Sequence, residues 1–189
     1  MSAAQIHQLK IQLKGSKPPI WRRIQVPGTV TLAGLHPMLL AVMGWYGGHM
    51  YAFRVGGEQY GDPDPELGMK DAGRLTLAGA VRRAGADLFY DYDFGDGWEH
   101  RLTVEKVLPA EKDVAYPRCL AGRRACPPED CGGIYGFHAF LEALADPGHP
   151  EHDWAVERAP LDYDPAGFDL EWTNARLADP AAHLLLDLW

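Results

Sequence analysis

Residues 6–14 alternate in character: His7, Leu9, Ile11 and Leu13 fall on one side of an extended chain, and Gln8, Lys10, Gln12 and Lys14 on the other. Period two predicts a strand with one buried face. The breaker run Gly15-Ser16-Lys17-Pro18-Pro19 ends it, and residues 20–26 resume as a second strand. After Gly28, Thr31 is placed to cap a helix over Leu32–Met43, where Leu35, Leu39, Val42 and Met43 recur at helical spacing and Pro37 must lie near the first turn or kink the axis. Residues 49–55 read as a third strand that turns at Gly56-Gly57 into Glu58-Gln59-Tyr60. A surface loop over 62–73, a short helix over 75–83 and strands over 88–94 and 98–108 follow. A long loop over 109–133 leads to a helix over 135–145, with further helices predicted near 150–156, 165–177 and 180–188. Strands thus dominate residues 5–108, and a loop and helices fill 109–189. The expected fold is α+β, a mainly antiparallel sheet with a β-β-α-β opening and helices concentrated in the C-terminal part. A chain of 189 residues fits one domain spanning 1–189.

Charge changes this picture, because its distribution is uneven. No acidic residue precedes Glu58, whereas Lys10, Lys14, Lys17, Arg22, Arg23 and Arg54 contribute +6, so the net −8 leaves −14 for the rest. Either a basic face meets an anionic partner, or the two halves attract each other. The first hairpin places Lys10, Lys14, Trp21 and Arg23 on its outward face beside Gln8, Gln12 and Gln25. Cations around an aromatic ring suit phosphate and a stacked base of a nucleic-acid partner. A protein partner, or simple protection of a sheet edge by lysines, fits the same face. No apolar run approaches the roughly 20 residues that cross a bilayer, and residues 1–14 lack the apolar core of a signal peptide. A cytoplasmic protein without a membrane partner is expected.

The segment from Tyr90 to His100 holds the densest chemistry. A three-residue turn, Gly95-Asp96-Gly97, pairs Phe94 with Trp98, Tyr92 with His100, Tyr90 with Leu102 and Leu88 with Val104 on one face, and Asp91 with Arg101 on the other. That register sets Asp93 opposite Glu99, with Asp96 adjoining. Like charges facing each other are destabilising, so a divalent cation, a basic side chain such as Arg22 or Arg23, or a cationic ligand is expected to offset them, unless the carboxylates splay into water. His100, beside Tyr92, reads as a hydrogen-bonded core histidine.

Three cysteines, Cys119, Cys126 and Cys131, sit in one loop with spacing C-x6-C-x4-C. An odd count argues against a disulfide framework. Zinc, held by the three thiolates and one of His100, His138, His149 or His152, is one reading; rigid packing of the thiols in a turn stiffened by Pro127-Pro128 is the other. Glu129 and Asp130 in that turn, joined to Asp93, Asp96, Trp98, Glu99 and His100, make a candidate acidic pocket. Paired carboxylates with a histidine suit a metal-assisted hydrolase using zinc or another divalent metal. There is no phosphate-binding glycine loop, nucleophile elbow or H-E-x-x-H.

The runs Ile20-Trp21-Arg22-Arg23-Ile24-Gln25-Val26, Met43-Gly44-Trp45, Gly48-His49, Tyr92-Asp93-Phe94-Gly95-Asp96, Trp98-Glu99-His100, Pro127-Pro128-Glu129-Asp130, Gly132-Gly133, Asp146-Pro147 and His149-Pro150 give the chain a family resemblance. Over roughly residues 5–178 it resembles the plasmid pRiA-type ORF-three-like family of bacterial and archaeal cytoplasmic proteins. The resemblance implies a single α+β domain and carries no established activity, although some relatives bear mobile-element passenger or resolvase-like labels. Similar proteins usually carry a second histidine two residues after the Gly-His pair, where this chain has Tyr51. A serine recombinase needs a nucleophilic serine on a folded core, and the only serines are Ser2 and Ser16. The acidic C-terminal half is wrong for a tyrosine recombinase. The leading expectation is a non-catalytic interaction or accessory protein linked to mobile elements. The metal-assisted hydrolase and the nucleic-acid-binding module remain the alternatives.

Overall fold

The alternating N-terminal run forms β1 (Gln5–Leu13), which pairs antiparallel with β2 (Trp21–Pro27) so that Leu9 faces Ile24 and Ile11 faces Arg22. The computed structural model describes residues 5–184. Six further strands complete one sheet: β3 (Tyr51–Val55), β4 (Glu58–Gly61), β5 (Lys70–Asp71), β6 (Asp87–Tyr92), β7 (Trp98–Pro109) and β8 (Arg118–Arg123). Their order is β5-β4-β3-β6-β7-β1-β2-β8, and every pairing is antiparallel except β4 with β5. The helices are α1 (Leu32–Met43), α2 (Leu77–Ala80), α3 (Gly133–Ala145), α4 (His152–Arg158) and α5 (Leu170–Ala178), with 3-10 turns at Ala72–Arg74 and Pro180–His183. The fold is the expected α+β type. Among the described residues, no helix is long and apolar enough to cross a membrane.

One face of the sheet is apolar and covered. Leu9, Ile11 and Leu13 of β1, Ile24 and Val26 of β2, Tyr90 and Tyr92 of β6, and Leu102 and Val104 of β7 are all buried there. Helix α1 closes this face with Leu32, Leu35, Leu39, Leu40, Val42 and Met43, and His36 stacks on Tyr51 at 3.7 Å between ring centroids. Thr31 caps the helix start by accepting the Gly34 N–H, and Gly44, at φ +82°, ends it in the left-handed conformation that glycine tolerates.

The far end of α1 carries carbonyls that no helical N–H reaches. Two buried arginines from distant parts of the chain supply the donors. Arg22 Nε donates to the Val42 carbonyl at 2.9 Å, Arg176 Nε to Ala41 at 3.2 Å and Arg176 Nη2 to Trp45 at 2.7 Å. Positive charge at this end also complements the helix dipole. Arg22 and Arg176 are only 4% and 5% exposed, and among the described residues neither has a carboxylate within ion-pair distance.

Four expectations need correcting. The hairpin turn spans residues 93–97, not 95–97, so Tyr92 pairs with Trp98, Tyr90 with His100 and Asp91 with Glu99. The shift is two residues, so each side chain keeps its face. Asp93 therefore sits in the turn and not opposite Glu99. Second, both predicted loops hold strands: 62–73 contains β5, which pairs with β4, and 109–133 contains β8, which extends the sheet from the free side of β2. Third, neither Arg22 nor Arg23 offsets the paired acids of the hairpin. That role falls to Arg54, 2.8 Å from Asp91 and 3.3 Å from Glu99, and to Lys14, which bonds Glu99. Fourth, the C-terminal helices start later than predicted: α4 begins at His152, and α5 begins after Asp169, whose side chain accepts the Trp172 N–H. The helix expected over 180–188 is a short 3-10 turn where described, and the rest of that range lies outside the described residues.

Candidate functional site

The turn joining β6 to β7 is organised by Asp93. Its backbone sits at φ +53°, its Oδ1 accepts the N–H groups of Gly95 and Asp96 at 3.0 and 3.2 Å, and its carbonyl accepts Gly97 N–H at 2.6 Å. A side-chain turn of this kind is what Asp supplies to a tight loop. Against it lies the Pro127–Gly133 turn. Asp96 Oδ2 accepts the Gly132 N–H at 3.1 Å, and Gly133 packs so closely on the Asp96 carbonyl that a Cβ there would overlap it. Tyr92 donates its hydroxyl to Glu129 Oε1 at 2.8 Å, while Glu129 Oε2 accepts the Tyr46 N–H at 2.8 Å. Trp45 Nε1 donates to the Pro127 carbonyl at 2.9 Å. Two segments far apart in sequence thus meet at one junction with the end of α1.

Asp93, Asp96, Glu129 and Asp130 converge at this junction, and His49 enters between them. Its Nδ1 lies 3.8 Å from Asp93 Oδ2 and its Nε2 lies 3.3 Å from Asp130 Oδ1. One ligand atom from each of His49, Asp93 and Asp130 lies within 4.8 Å of the others. Trp98 and His100 belong to the buried side of the hairpin, packed around Trp45 at 5.7 and 5.5 Å between ring centroids. His100 is fully buried. Its Nδ1 is 3.3 Å from the Tyr90 carbonyl, and desolvation lowers its pKa to about 4. Glu99 points to the opposite face of the sheet, where the Lys14 hydrogen bond holds its carboxyl below the ordinary range. Burial, then the Glu129 carboxylate, pushes the Tyr92 hydroxyl upward, so it stays a donor. The sequence sets His49 in a strand over 49–55 and in the Gly48-His49 motif, but β3 begins at Tyr51, and His49 lies in the irregular stretch after Gly47 and Gly48, both at positive φ.

The cysteines take separate positions. Cys119 lies on β8 with its Sγ 3.5 Å from the Ala121 carbonyl; Cys126 Sγ accepts from Arg22 Nη2 at 2.9 Å and lies 3.6 Å from Met43 Sδ; Cys131 ends the turn before α3. All three are buried free thiols, and among the described residues no set of ligand atoms joins them to each other or to a histidine at metal-binding spacing. Burial pushes the Cys131 thiol up to about 12, with Asp96 adding to the shift. These environments favour packed thiols over thiolates.

The basic hairpin face is present but largely neutralised from within. Lys10 and Arg23 lie over the Trp21 ring at 5.5 and 5.3 Å from its centroid. Arg23 also forms two bonds to Glu105, at 2.6 and 2.7 Å, and Lys14 bonds Glu99. The two halves of opposite charge therefore attract each other across the open face of the sheet.

A cavity of about 650 Å³ opens beside the junction. The end of α1, the cysteine turn and residues 158–173 wall it, with Trp45, Tyr46, Tyr163, Phe168 and Trp172 supplying aromatic surface and Arg22 and Glu129 polar edges. The Arg22 guanidinium lies 4.6 Å from the Phe168 ring centroid, and Arg176 lies 5.0 Å from both Tyr46 and Trp172. Sequence reasoning missed this cleft, because its far wall is an aperiodic Pro- and Asp-rich stretch. A smaller cavity of about 330 Å³ lies near Arg54, Asp91, Asp93 and Glu99.

An eight-stranded mixed sheet under one capped helix, with a histidine–carboxylate junction beside an aromatic cleft, defines an α+β class of protein. The chain belongs to the plasmid pRiA4b ORF-3-like protein family, whose profile matches residues 5–172. It is 42% identical over 183 residues to the uncharacterized protein y4hQ of Sinorhizobium fredii (strain NBRC 101917 / NGR234), covering 95% of this chain and 94% of that one. It is also similar to the crystal structure of MM3350, a protein of unknown function from Methanosarcina mazei Go1. The TM-score is 0.82 at 35% identity, over 90% of this chain and 98% of that one. The resemblance read from the motifs is thus established.

Proposed function

We propose that this protein is a non-catalytic accessory protein that binds a small, largely apolar aromatic ligand in the cleft between α1, the cysteine turn and α5. The observation that carries this reading is the cleft itself. A volume of about 650 Å³ with aromatic walls and a few fixed polar groups falls in the roughly 300–1,000 Å³ range of small-molecule sites. Arg22, Glu129, Tyr163 and Asp169, which border it, already have structural work. Arg22 holds the Val42 carbonyl, Glu129 takes Tyr92 and Tyr46, Tyr163 donates to the Cys126 carbonyl at 3.0 Å, and Asp169 caps α5. Groups committed in this way orient a ligand but do not exchange protons with it, which supports binding over hydrolysis. The internal pairing of Arg23 and Lys14 weighs against nucleic acid as the partner. A mobile-element setting has its support in the plasmid named in the family description.

Calorimetric screening of an aromatic small-molecule library tests the reading. Ligands that bind the wild type should lose about tenfold or more in affinity in Trp172→Ala and Phe168→Leu, since losing a well-packed contact of ~1.4 kcal/mol is a factor of ten. Equal binding to wild type and both variants, or chemical turnover of a bound compound, overturns it.

A further inference from the structure

We infer that His49, Asp93 and Asp130 form a divalent transition-metal site, independent of the cleft reading. Four carboxylates, Asp93, Asp96, Glu129 and Asp130, meet at the junction of the two turns. Among the described residues, no Lys or Arg forms an ion pair with any of them. Asp96 and Glu129 are served by neutral donors: the Gly132 N–H for one, and the Tyr92 hydroxyl and Tyr46 N–H for the other. Asp93 is different. It is 7% exposed, and its Oδ1 is taken by two backbone N–H groups. Among the described residues no donor bonds its Oδ2, which faces His49 Nδ1 at 3.8 Å, beyond hydrogen-bond reach. This oxygen keeps some solvent contact, its side chain being 10% exposed, and is therefore open to an incoming cation.

The donor set names the class of ion. One imidazole nitrogen and two carboxylate oxygens lie within 4.8 Å of one another. A mixed nitrogen–oxygen set suits zinc, cobalt or manganese better than calcium or magnesium, which favour oxygen alone. Three protein ligands leave at least one position for water, as in open zinc sites. His49 would bind through Nε2, whose 3.3 Å separation from Asp130 Oδ1 is that of two ligands on a tetrahedral ion with bonds of about 2.1 Å. The Asp93 carboxylate, now facing Nδ1, would close on the ion from within the 4.8 Å spacing. The chain that carries these residues is anchored on both sides. Asp93 N–H donates to the Met50 carbonyl at 2.9 Å, which ties the His49 segment to the hairpin turn, and Gly132 N–H ties the Asp130 segment to Asp96. The ion would therefore close a junction whose backbone is already in place.

The test uses full-length protein dialysed against chelator, then titrated with cobalt(II) chloride and with zinc chloride by equilibrium dialysis and visible absorption. One equivalent of each ion should bind, with the two competing. Affinity should fall about tenfold or more in His49→Ala, Asp93→Asn and Asp130→Asn, and stay unchanged in Cys126→Ser and Cys131→Ser. The Asp130 side chain is 63% exposed, so Asp130→Asn keeps the fold and carries the result should another variant fail to fold. No saturable binding by the wild type, binding retained in Asp130→Asn, or loss confined to the cysteine variants overturns the inference.

Discussion

The Tyr92 hydroxyl meets Glu129 Oε1 at 2.8 Å, joining strand β6 to a turn 37 residues further along the chain. A hydrogen bond to a charged acceptor contributes about 1.5–3 kcal/mol net. Tyr92→Phe should lower unfolding free energy by about 2 kcal/mol in urea titrations. Glu129→Gln keeps an acceptor for Tyr92 and should lose less. Equal losses in the two variants would show that the bond does not hold the turns together.

Gly133 permits the same junction sterically. It lies at φ +69° against the Asp96 carbonyl, whereas Gly57, at φ +86°, faces open space. Gly57→Ala meets only the backbone penalty, about 1 kcal/mol. Gly133→Ala adds a clash with backbone on the opposing turn and should lower stability by at least about 2 kcal/mol more. Thermal melts of the pair compare the two effects directly.

Acid should unfold the protein through its buried histidines. Desolvation lowers the pKa of His36 and His100 to about 4 in the folded chain, against about 6.5 when unfolded. Their contribution is complete above about pH 6.5 and is lost as pH falls toward 4, because only the unfolded chain takes up the protons across that window. Each histidine should remove about 2 kcal/mol between pH 7 and pH 5. His36→Gln should flatten this slope by about half. An unchanged slope in denaturant titrations at the two pH values would count against the assignment.

Arg176 holds two carbonyls at the end of α1 while its guanidinium lies close to Tyr46 and Trp172. Lysine offers a point charge without the planar fork. Arg176→Lys should therefore recover little of the roughly 2–4 kcal/mol lost in Arg176→Ala. Full rescue by lysine would mean that charge alone, acting on the helix dipole, does the holding.

Periodicity and punctuation made much of the scaffold legible. Alternation marked β1 and β7, and Thr31 with the helical spacing of Leu35, Leu39, Val42 and Met43 framed α1 at its observed bounds. Turn chemistry was harder. Gly95-Asp96-Gly97 invites a three-residue loop, but the Asp93 carboxylate caps two N–H groups and widens the turn to 93–97. β8 has no alternation to read and exists because β2 offers it an edge. The hairpin and the Pro127–Gly133 turn, paired in the sequence only by their acidic residues, meet because neutral donors, the Gly132 N–H and the Tyr92 hydroxyl, bridge to Asp96 and Glu129. Nothing local to Gly47-Gly48-His49 or Phe168 says what they face. Their positions are set by contacts with segments remote in sequence, to which single-sequence patterns are blind.

The two guanidinium groups at the end of α1 come from near opposite extremes of the chain. Removing the last helix would take the Arg176 donor from the Trp45 carbonyl and leave Ala41 with only the Gly44 N–H, a defect inside the molecule at the end of α1. Protease nicks around residues 146–151 should thus yield fragments that stay associated and melt in one transition.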